Sequence, residues 1–167
     1  FDYDYINGSF FKRMTSFTDA RGNTTQYRYD NKGNLTGVAR PLGVSESYGY
    51  DTYGNQTGYT DGRGNTTTYE YNANGYLIKI NLPVGGLNTQ FTYDNRGNKR
   101  SQTDGNGHVT QFKYDALNRL TRSTYADHRR DLFLWDQGAN GQGRLTRIEQ
   151  RDAAGALLTA IDRQYDP

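Results

Sequence analysis

The chain has 167 residues, 33% of them hydrophobic, and a formal net charge of only +2 at pH 7. Its charges are mixed and evenly scattered, so it lacks the basic stripe that binding to a nucleic-acid backbone requires. No segment approaches the roughly 18 apolar residues of a membrane-spanning helix. The absence of cysteine excludes disulfides and thiolate chemistry. With 15 tyrosines and 20 glycines, the composition is typical of a folded β protein with tyrosine-rich strands and many turns.

A tyrosine–aspartate pair recurs along the chain at a nearly constant step of 21 or 22 residues. In chain order the copies are Tyr29-Asp30, Tyr50-Asp51, Tyr71-Asn72, Tyr93-Asp94, Tyr114-Asp115 and, one step later, Trp135-Asp136. A fixed period is the sequence signature of a repeat architecture. We therefore predict that residues 1–167 form one continuous repeat region of a longer protein, in which most residues build a scaffold.

A second aromatic residue stands two positions before each of these pairs. Alternate residues of a strand share a face, and mostly polar residues separate the two aromatics, as in half-buried strands. The pattern predicts an aromatic ladder on one face, made of Tyr27, Tyr29, Tyr48, Tyr50, Tyr69, Tyr71, Phe91, Tyr93, Phe112, Tyr114, Phe133 and Trp135. Three roles are open for this face: packing, lining of an inner cavity, and recognition of a ligand such as a sugar.

Each pair also begins a turn signal, Asp-x-x-Gly, which recurs halfway to the next pair. The Asp side chain accepts hydrogen bonds from backbone amides ahead of it, and Gly supplies the positive φ of a type I turn with a G1 bulge. The predicted turn residues are Asp19, Gly22, Asp30, Gly33, Asp51, Gly54, Asp61, Gly64, Asn72, Gly75, Asp94, Gly97, Asp104, Gly107, Asp115 and, in place of a glycine, Asn118. Turns this closely spaced predict an all-β fold, an antiparallel array of β-hairpins.

The halfway turns follow a longer period of 42 or 43 residues. Residues 18–25 recur as residues 60–67 and more weakly as 103–110, and Pro-Gly turns at Pro41 and Pro83 lie between these copies. The pattern leaves open whether alternating turns lie on opposite rims or set the curvature of the sheet.

Both ends of the chain depart from this spacing. The segments from Asp4 to Asp19 and from Asp136 to Asp152 are longer than the other units. We expect longer hairpins or bulges there and no domain boundary.

The sequence YDNKGNLT at residues 29–36 and the sequence TDGRGNTTTYEY at residues 60–71 resemble the YD repeats of the Rhs family. That family includes bacterial polymorphic toxins, type VI secretion effectors, toxin-complex subunits, wall-associated proteins and animal teneurins. The resemblance covers essentially the whole chain. It implies a long β-sheet coiled into a hollow shell, a β-cocoon, which in toxin members holds a C-terminal toxin domain until delivery.

Toxin members end their shell with an Asp-Pro-x-Gly-Leu segment that is linked to aspartyl self-cleavage. Here Asp166-Pro167 follows Tyr165, and we interpret it as the start of the next YD unit. The resemblance therefore implies a scaffold without a catalytic residue.

The same resemblance implies the partners and the location of the protein. The partners would be the remainder of the same shell and an enclosed toxin domain, with secretion-system spike or chaperone proteins. The protein would be exported from a bacterium. The alternative is an adhesion or carbohydrate-binding module at the cell surface, as in wall-associated or teneurin-like members.

The residues themselves offer little independent chemistry. Asp104-Gly105-Asn106-Gly107 lacks the ligand spacing and closing Glu of a calcium loop. His108 and His128 are accompanied by no acidic partner motif, and neither a nucleophile elbow nor a P-loop occurs. We predict no enzyme activity, no metal site and no cofactor.

Overall fold

A computed structural model describes residues 2–4, 13–138 and 140–166 of the chain. The described residues form fifteen β-strands and one short 3₁₀ turn, Pro41–Gly43. The chain divides into two compact units, residues 1–87 and 88–167. The predicted all-β class is confirmed.

The first unit is an antiparallel meander in which each strand pairs with the next one along the chain. Its strands are β1 (Asp2–Asp4), β2 (Arg13–Thr18), β3 (Thr24–Tyr29), β4 (Leu35–Ala39), β5 (Ser45–Tyr50), β6 (Gln56–Thr60), β7 (Thr66–Tyr71) and β8 (Leu77–Asn81).

The second unit repeats this plan. Its strands are β9 (Asn88–Tyr93), β10 (Lys99–Thr103), β11 (Val109–Tyr114), β12 (Leu120–Thr124), β13 (Arg130–Trp135), β14 (Leu145–Arg151) and β15 (Leu157–Asp162). The hairpin loop between β13 and β14 is longer than its neighbours, as the sequence predicts. The loop between β1 and β2 lies outside the described residues.

Successive turns of a meander lie alternately at the two ends of its strands, and each row of turns is called an edge here. Within each unit, the turns that begin at the Tyr-Asp pairs therefore share one edge, which we call the YD edge. The halfway turns, which in the first unit are both Asp-Gly and Pro-Gly, share the opposite edge, which we call the halfway edge. The Asp-Gly and Pro-Gly turns that alternate along the first unit therefore lie on the same edge and not on opposite rims.

The strands that carry the aromatic pairs are two-sided. In β3, β5, β7 and β11 exposed and half-buried residues alternate strictly, and the aromatic side chains occupy the half-buried positions. The intervening side chains are small or polar and remain in solvent. A period of two along the sequence thus becomes an aromatic face and a polar face.

Burial is shallow throughout the described residues. Val38, at 5% exposure, is the only buried hydrophobic residue there, and no side chain is completely enclosed. The other buried residues are two glycines, Gly33 and Gly141, and three polar residues, Ser123, Thr146 and Glu149. The aromatic side chains are therefore covered mainly by their cross-strand neighbours.

Candidate functional site: the aromatic face and its turns

Each strand with an aromatic pair has a first aromatic residue, two positions before the Tyr of the Tyr-Asp motif, and a second aromatic residue, which is that Tyr or its replacement. In the first unit the first aromatic residue lies opposite an aliphatic or aromatic residue of the following strand. Tyr27 faces Val38, Tyr48 faces Tyr59, and Tyr69 faces Ile80. The rings of Tyr48 and Tyr59 lie 5.3 Å apart with a 32° tilt, within the range of favourable aromatic pairs. Burial and a hydrogen bond to Glu46 raise the pKa of Tyr48 to about 12.

In the second unit two of the three corresponding positions are polar, whereas Phe133 lies opposite the apolar Ile148. Phe91 faces Gln102 and Phe112 faces Ser123. The ammonium group of Lys99 lies 5.4 Å from the ring centre of Phe91 and 5.1 Å from that of Phe112. A cation between two aromatic faces supplies attraction where the first unit uses apolar contact.

The second aromatic of a pair can reach across its hairpin to the preceding strand. The Tyr29 hydroxyl donates to the carbonyl oxygen of Met14 at 3.0 Å, and the Tyr71 hydroxyl donates to that of Gln56 at 2.9 Å. Trp135 donates through its indole N–H to the carbonyl oxygen of Leu120 at 2.8 Å. We call this contact the aromatic tether, because it fixes the ring against the start of the neighbouring strand.

A guanidinium group covers the ring in three tethers. It belongs to the residue just before the accepting carbonyl: Arg13 lies 5.5 Å from the Tyr29 ring, and Arg119 lies 4.9 Å from the Trp135 ring. Tyr165 has the same surroundings, since its hydroxyl donates to Leu145 at 2.8 Å and Arg144 lies 4.8 Å from its ring. Tyr165 thus makes the contacts of a second aromatic, whereas Pro167 lies outside the described residues.

The commonest turn, exemplified by residues 30–34, has one repeated hydrogen-bond pattern. Asp30 Oδ1 accepts from the amides of Lys32 at 2.9 Å and Asn34 at 2.8 Å, and Asp30 Oδ2 accepts from the side-chain amide of Asn34 at 2.9 Å. Gly33, at φ 85°, donates to the Asp30 carbonyl at 3.0 Å. The same pattern occurs in the turns that begin at Asp19, Asp51, Asp61 and Asp94. In all five turns the side-chain hydrogen bond from Asn is the largest cause that lowers the pKa of the Asp.

Three further turns change the partners and keep the backbone geometry. Asn72 accepts the two amide bonds through Oδ1, and at Asp104 the fifth residue is His108. At Asp115 that residue is Arg119, which contacts Asp115 and Asp136 at 2.7 Å each. Arg119 therefore joins two neighbouring turns of the YD edge. Hydrogen bonds to it help lower the pKa values of both carboxyls.

Sequence reasoning missed the fifth residue of the turn and one complete turn. The side-chain amides of Asn34 and its counterparts donate to the second carboxylate oxygen of the Asp, although the Asp-x-x-Gly motif assigns this fifth residue no role. Residues 125–129 form a turn with neither Asp at its start nor Gly: His128, at φ 66°, donates to the Tyr125 carbonyl at 2.9 Å. The 21-residue step from Asp104 to Tyr125 is a signal that could have located it.

The two histidines lie in separate turns and form no metal centre. The imidazole of His108 lies 3.2 Å from a carboxylate oxygen of Asp104, and His128 belongs to a different turn. Across the described part of the chain, no cluster of three or more His, Cys, Asp or Glu side chains could hold a metal ion. None of the helical structure in these residues is long and apolar enough to cross a membrane.

Comparison with known proteins identifies the repeat. The family model described as the teneurin YD-shell matches residues 1–136. The chain belongs to this family. A search of curated proteins finds no match.

Solved structures give the same answer for the fold. The YD-shell chain superposes on TcdB2-TccC3-Cdc42 with a TM-score of 0.67 at 19% identity, over 88% of this chain. The Tc holotoxin pore of Photorhabdus luminescens gives 0.67 at 19% identity over 90% of the chain, and TcdB2-TccC3 without its hypervariable C-terminal region gives 0.67 at 20% over 88%. The chain spans only 9% of the length of each matched structure.

These findings confirm the YD/Rhs-type repeat and the antiparallel shell fold. They also confirm that this region has a structural role and is not an enzyme. The conclusion about enzyme activity follows from membership of a family of shell domains.

Proposed function

We propose that this YD-shell region forms part of the wall of a hollow shell that encloses and protects a C-terminal toxin domain in an exported bacterial protein. The observation that carries the proposal is the two-sided strand that recurs from repeat to repeat. An aromatic face that is only half-buried along each unit suits a wall with one side turned to enclosed cargo.

The solved structures support this proposal at the level of the fold. One of them is named as a Tc holotoxin pore, and another is described as lacking a hypervariable C-terminal region. Under the proposal, the partners of this chain are the remaining wall and the enclosed domain. Type VI export and contact with spike or chaperone proteins belong to the same hypothesis.

Limited proteolysis of the native protein tests the proposal. A C-terminal product is expected to remain associated with the shell after chain cleavage and to resist protease until the shell unfolds in denaturant. The masses of the native products and of the protected fragment, measured by mass spectrometry, identify that product.

Two results would overturn encapsulation. One is an intact protein with a membrane anchor and no separable domain, which would favour cell-surface adhesion. The other is a C-terminal domain that protease removes at the same rate before and after denaturation.

A further inference from the structure

Two arginines of the second unit lie directly opposite each other on neighbouring strands. Arg130 of β13 is the register partner of Arg151 of β14. Like charges in directly opposed positions repel and destabilise a sheet. This arrangement therefore calls for an anion beside it.

Arg151 has an anion within the chain. Its Nε and Nη2 atoms donate to Glu149 Oε2 at 2.9 and 2.6 Å, and its Nη1 donates to the carbonyl of Gly155 at 2.9 Å. Arg130 has no carboxylate partner among the described residues. It donates through Nη2 to the carbonyl oxygen of Ala153 at 3.0 Å, which leaves its remaining N–H groups available.

Both residues line a small groove of about 230 Å³ at the halfway edge. Arg129 adds a third guanidinium group, bound through Nε to Asp127 at 2.6 Å. The one carboxylate that lines the groove, Asp131, accepts from the Tyr125 hydroxyl at 2.6 Å. Three arginines and one aspartate thus line the groove, and of the three arginines only Arg130 lacks a carboxylate partner among the described residues, since Asp127 binds Arg129 and Glu149 binds Arg151.

The adjacent groove on the same edge has the opposite character. It is lined by Asp104, His108, Thr110, Tyr125, Ala126 and Asp127. The cationic groove is therefore a local feature of the turn at residues 125–129 and the turn that begins at Asp152.

We propose that this groove, bordered by Arg129, Arg130 and Arg151, is a binding site for one small oxyanion, a phosphate or carboxylate group. Guanidinium groups bind both anions through paired, charge-assisted hydrogen bonds. The carbonyls of Ala153 and Gly155 hold Arg130 and Arg151 in place before the anion arrives. The site is independent of whether the shell encloses a toxin.

Titration of the purified protein with inorganic phosphate, at ionic strength kept constant with chloride, tests the site. Isothermal calorimetry should show saturable binding, and the melting temperature should rise with phosphate concentration. Arg130→Gln should weaken phosphate binding about tenfold or more, since it removes a charged donor. Arg63→Gln removes the same charge from a turn of the first unit and should leave binding unchanged.

Stability without phosphate separates ligand binding from a purely structural role. If the role of Arg130 is to bind the anion, Arg130→Gln relieves repulsion with Arg151 and should keep or raise the melting temperature. If Arg130 serves only to bridge to Ala153, the same variant should lower it. A lowered melting temperature with unchanged phosphate binding would overturn the proposal, as would equal phosphate affinity in the parent, Arg130→Gln and Arg63→Gln proteins.

Acetate and a short polyglutamate peptide, titrated under the same conditions, distinguish the sources of the anion. Tighter binding of the peptide than of phosphate, lost in Arg130→Gln, would assign the groove to an acidic polypeptide segment. Tighter binding of phosphate, lost in the same variant, would assign it to a free or esterified phosphate.

Discussion

At the scale of single residues, the chain repeats one solution to the problem of reversing a strand. In each turn of the commonest type, an Asp carboxylate accepts hydrogen bonds from two backbone amides and from one Asn side chain. The fourth residue is held at positive φ, which glycine adopts without steric cost. Gly64 illustrates this position at φ 84°.

Adding one methyl group at two glycines separates conformation from packing. A Cβ at Gly64 or Gly58 would meet nothing within 4 Å, but only Gly64 has a positive φ. Gly64→Ala should lower the free energy of unfolding by about 1–2 kcal/mol. Gly58→Ala, in β6, should leave it unchanged or raise it by up to about 1 kcal/mol. Urea denaturation of both variants measures the difference, and equal losses would contradict the assignment to φ.

The turn carboxylates also predict how stability depends on pH. Hydrogen bonds lower the pKa of Asp61 and its counterparts in the folded chain. Their contribution is therefore fully present above the unfolded pKa of about 3.9 and is lost as pH falls through the lower folded-state value. The urea midpoint should be steady near pH 6 and fall below about pH 4.

Asp61→Asn is the matched variant for this pH dependence. Asn72 shows that an amide oxygen accepts the same two backbone bonds at 3.0 Å each. The variant should fold and lose stability less steeply in acid. An unchanged slope would exclude Asp61 from the acid response.

At the scale of elements, the aromatic tether fixes β3, β7 and β13 each against the preceding strand. In β7 only the second of the two tyrosines forms a tether within the described residues: Tyr71 donates to Gln56 at 2.9 Å. Burial raises the pKa of Tyr71, which agrees with a hydroxyl held away from water. Strand β7 thus offers a tyrosine with a tether, Tyr71, and a matched tyrosine without one, Tyr69.

Removing one hydroxyl from β7 tests the tether. Tyr71→Phe leaves the carbonyl of Gln56 without this donor and should lower the free energy of unfolding by about 1 kcal/mol. Tyr69→Phe removes a hydroxyl that forms no tether in the described part of the chain, and should change stability by less than about 0.5 kcal/mol. Chemical denaturation of the two variants compares them directly, and equal effects would contradict a role for the tether.

The strands and turns could be predicted because each depends on neighbours in sequence. Alternation of Tyr27, Arg28 and Tyr29 decides which side chains share a face, and Asp30 with Gly33 decides where the strand reverses. The tether could not be predicted, because it joins Tyr29 to Met14 across a hairpin. The pairing of Arg130 with Arg151 depends in the same way on register across an irregular, longer unit.

At the scale of the whole molecule, the small amount of buried apolar surface limits the stability of the chain. Val38 is the only buried hydrophobic residue among those described. In the last strand of the second unit, β15, Leu157, Leu158 and Ile161 are exposed by 48%, 58% and 58%. An apolar edge strand with unpaired backbone groups is a template for association with another chain.

The 167-residue chain, produced alone, is therefore expected to self-associate or to unfold at low denaturant concentration. Ile161→Lys places a charge on the edge strand and should reduce the mass measured by light scattering, because a charged edge disfavours strand pairing. Leu42→Lys is the control, since Leu42 is 102% exposed but lies in a turn of the first unit. If association depends on β15, only the Ile161 variant reduces it. A monodisperse parent chain with a steep, cooperative unfolding transition would show instead that the shallow aromatic face suffices for stability.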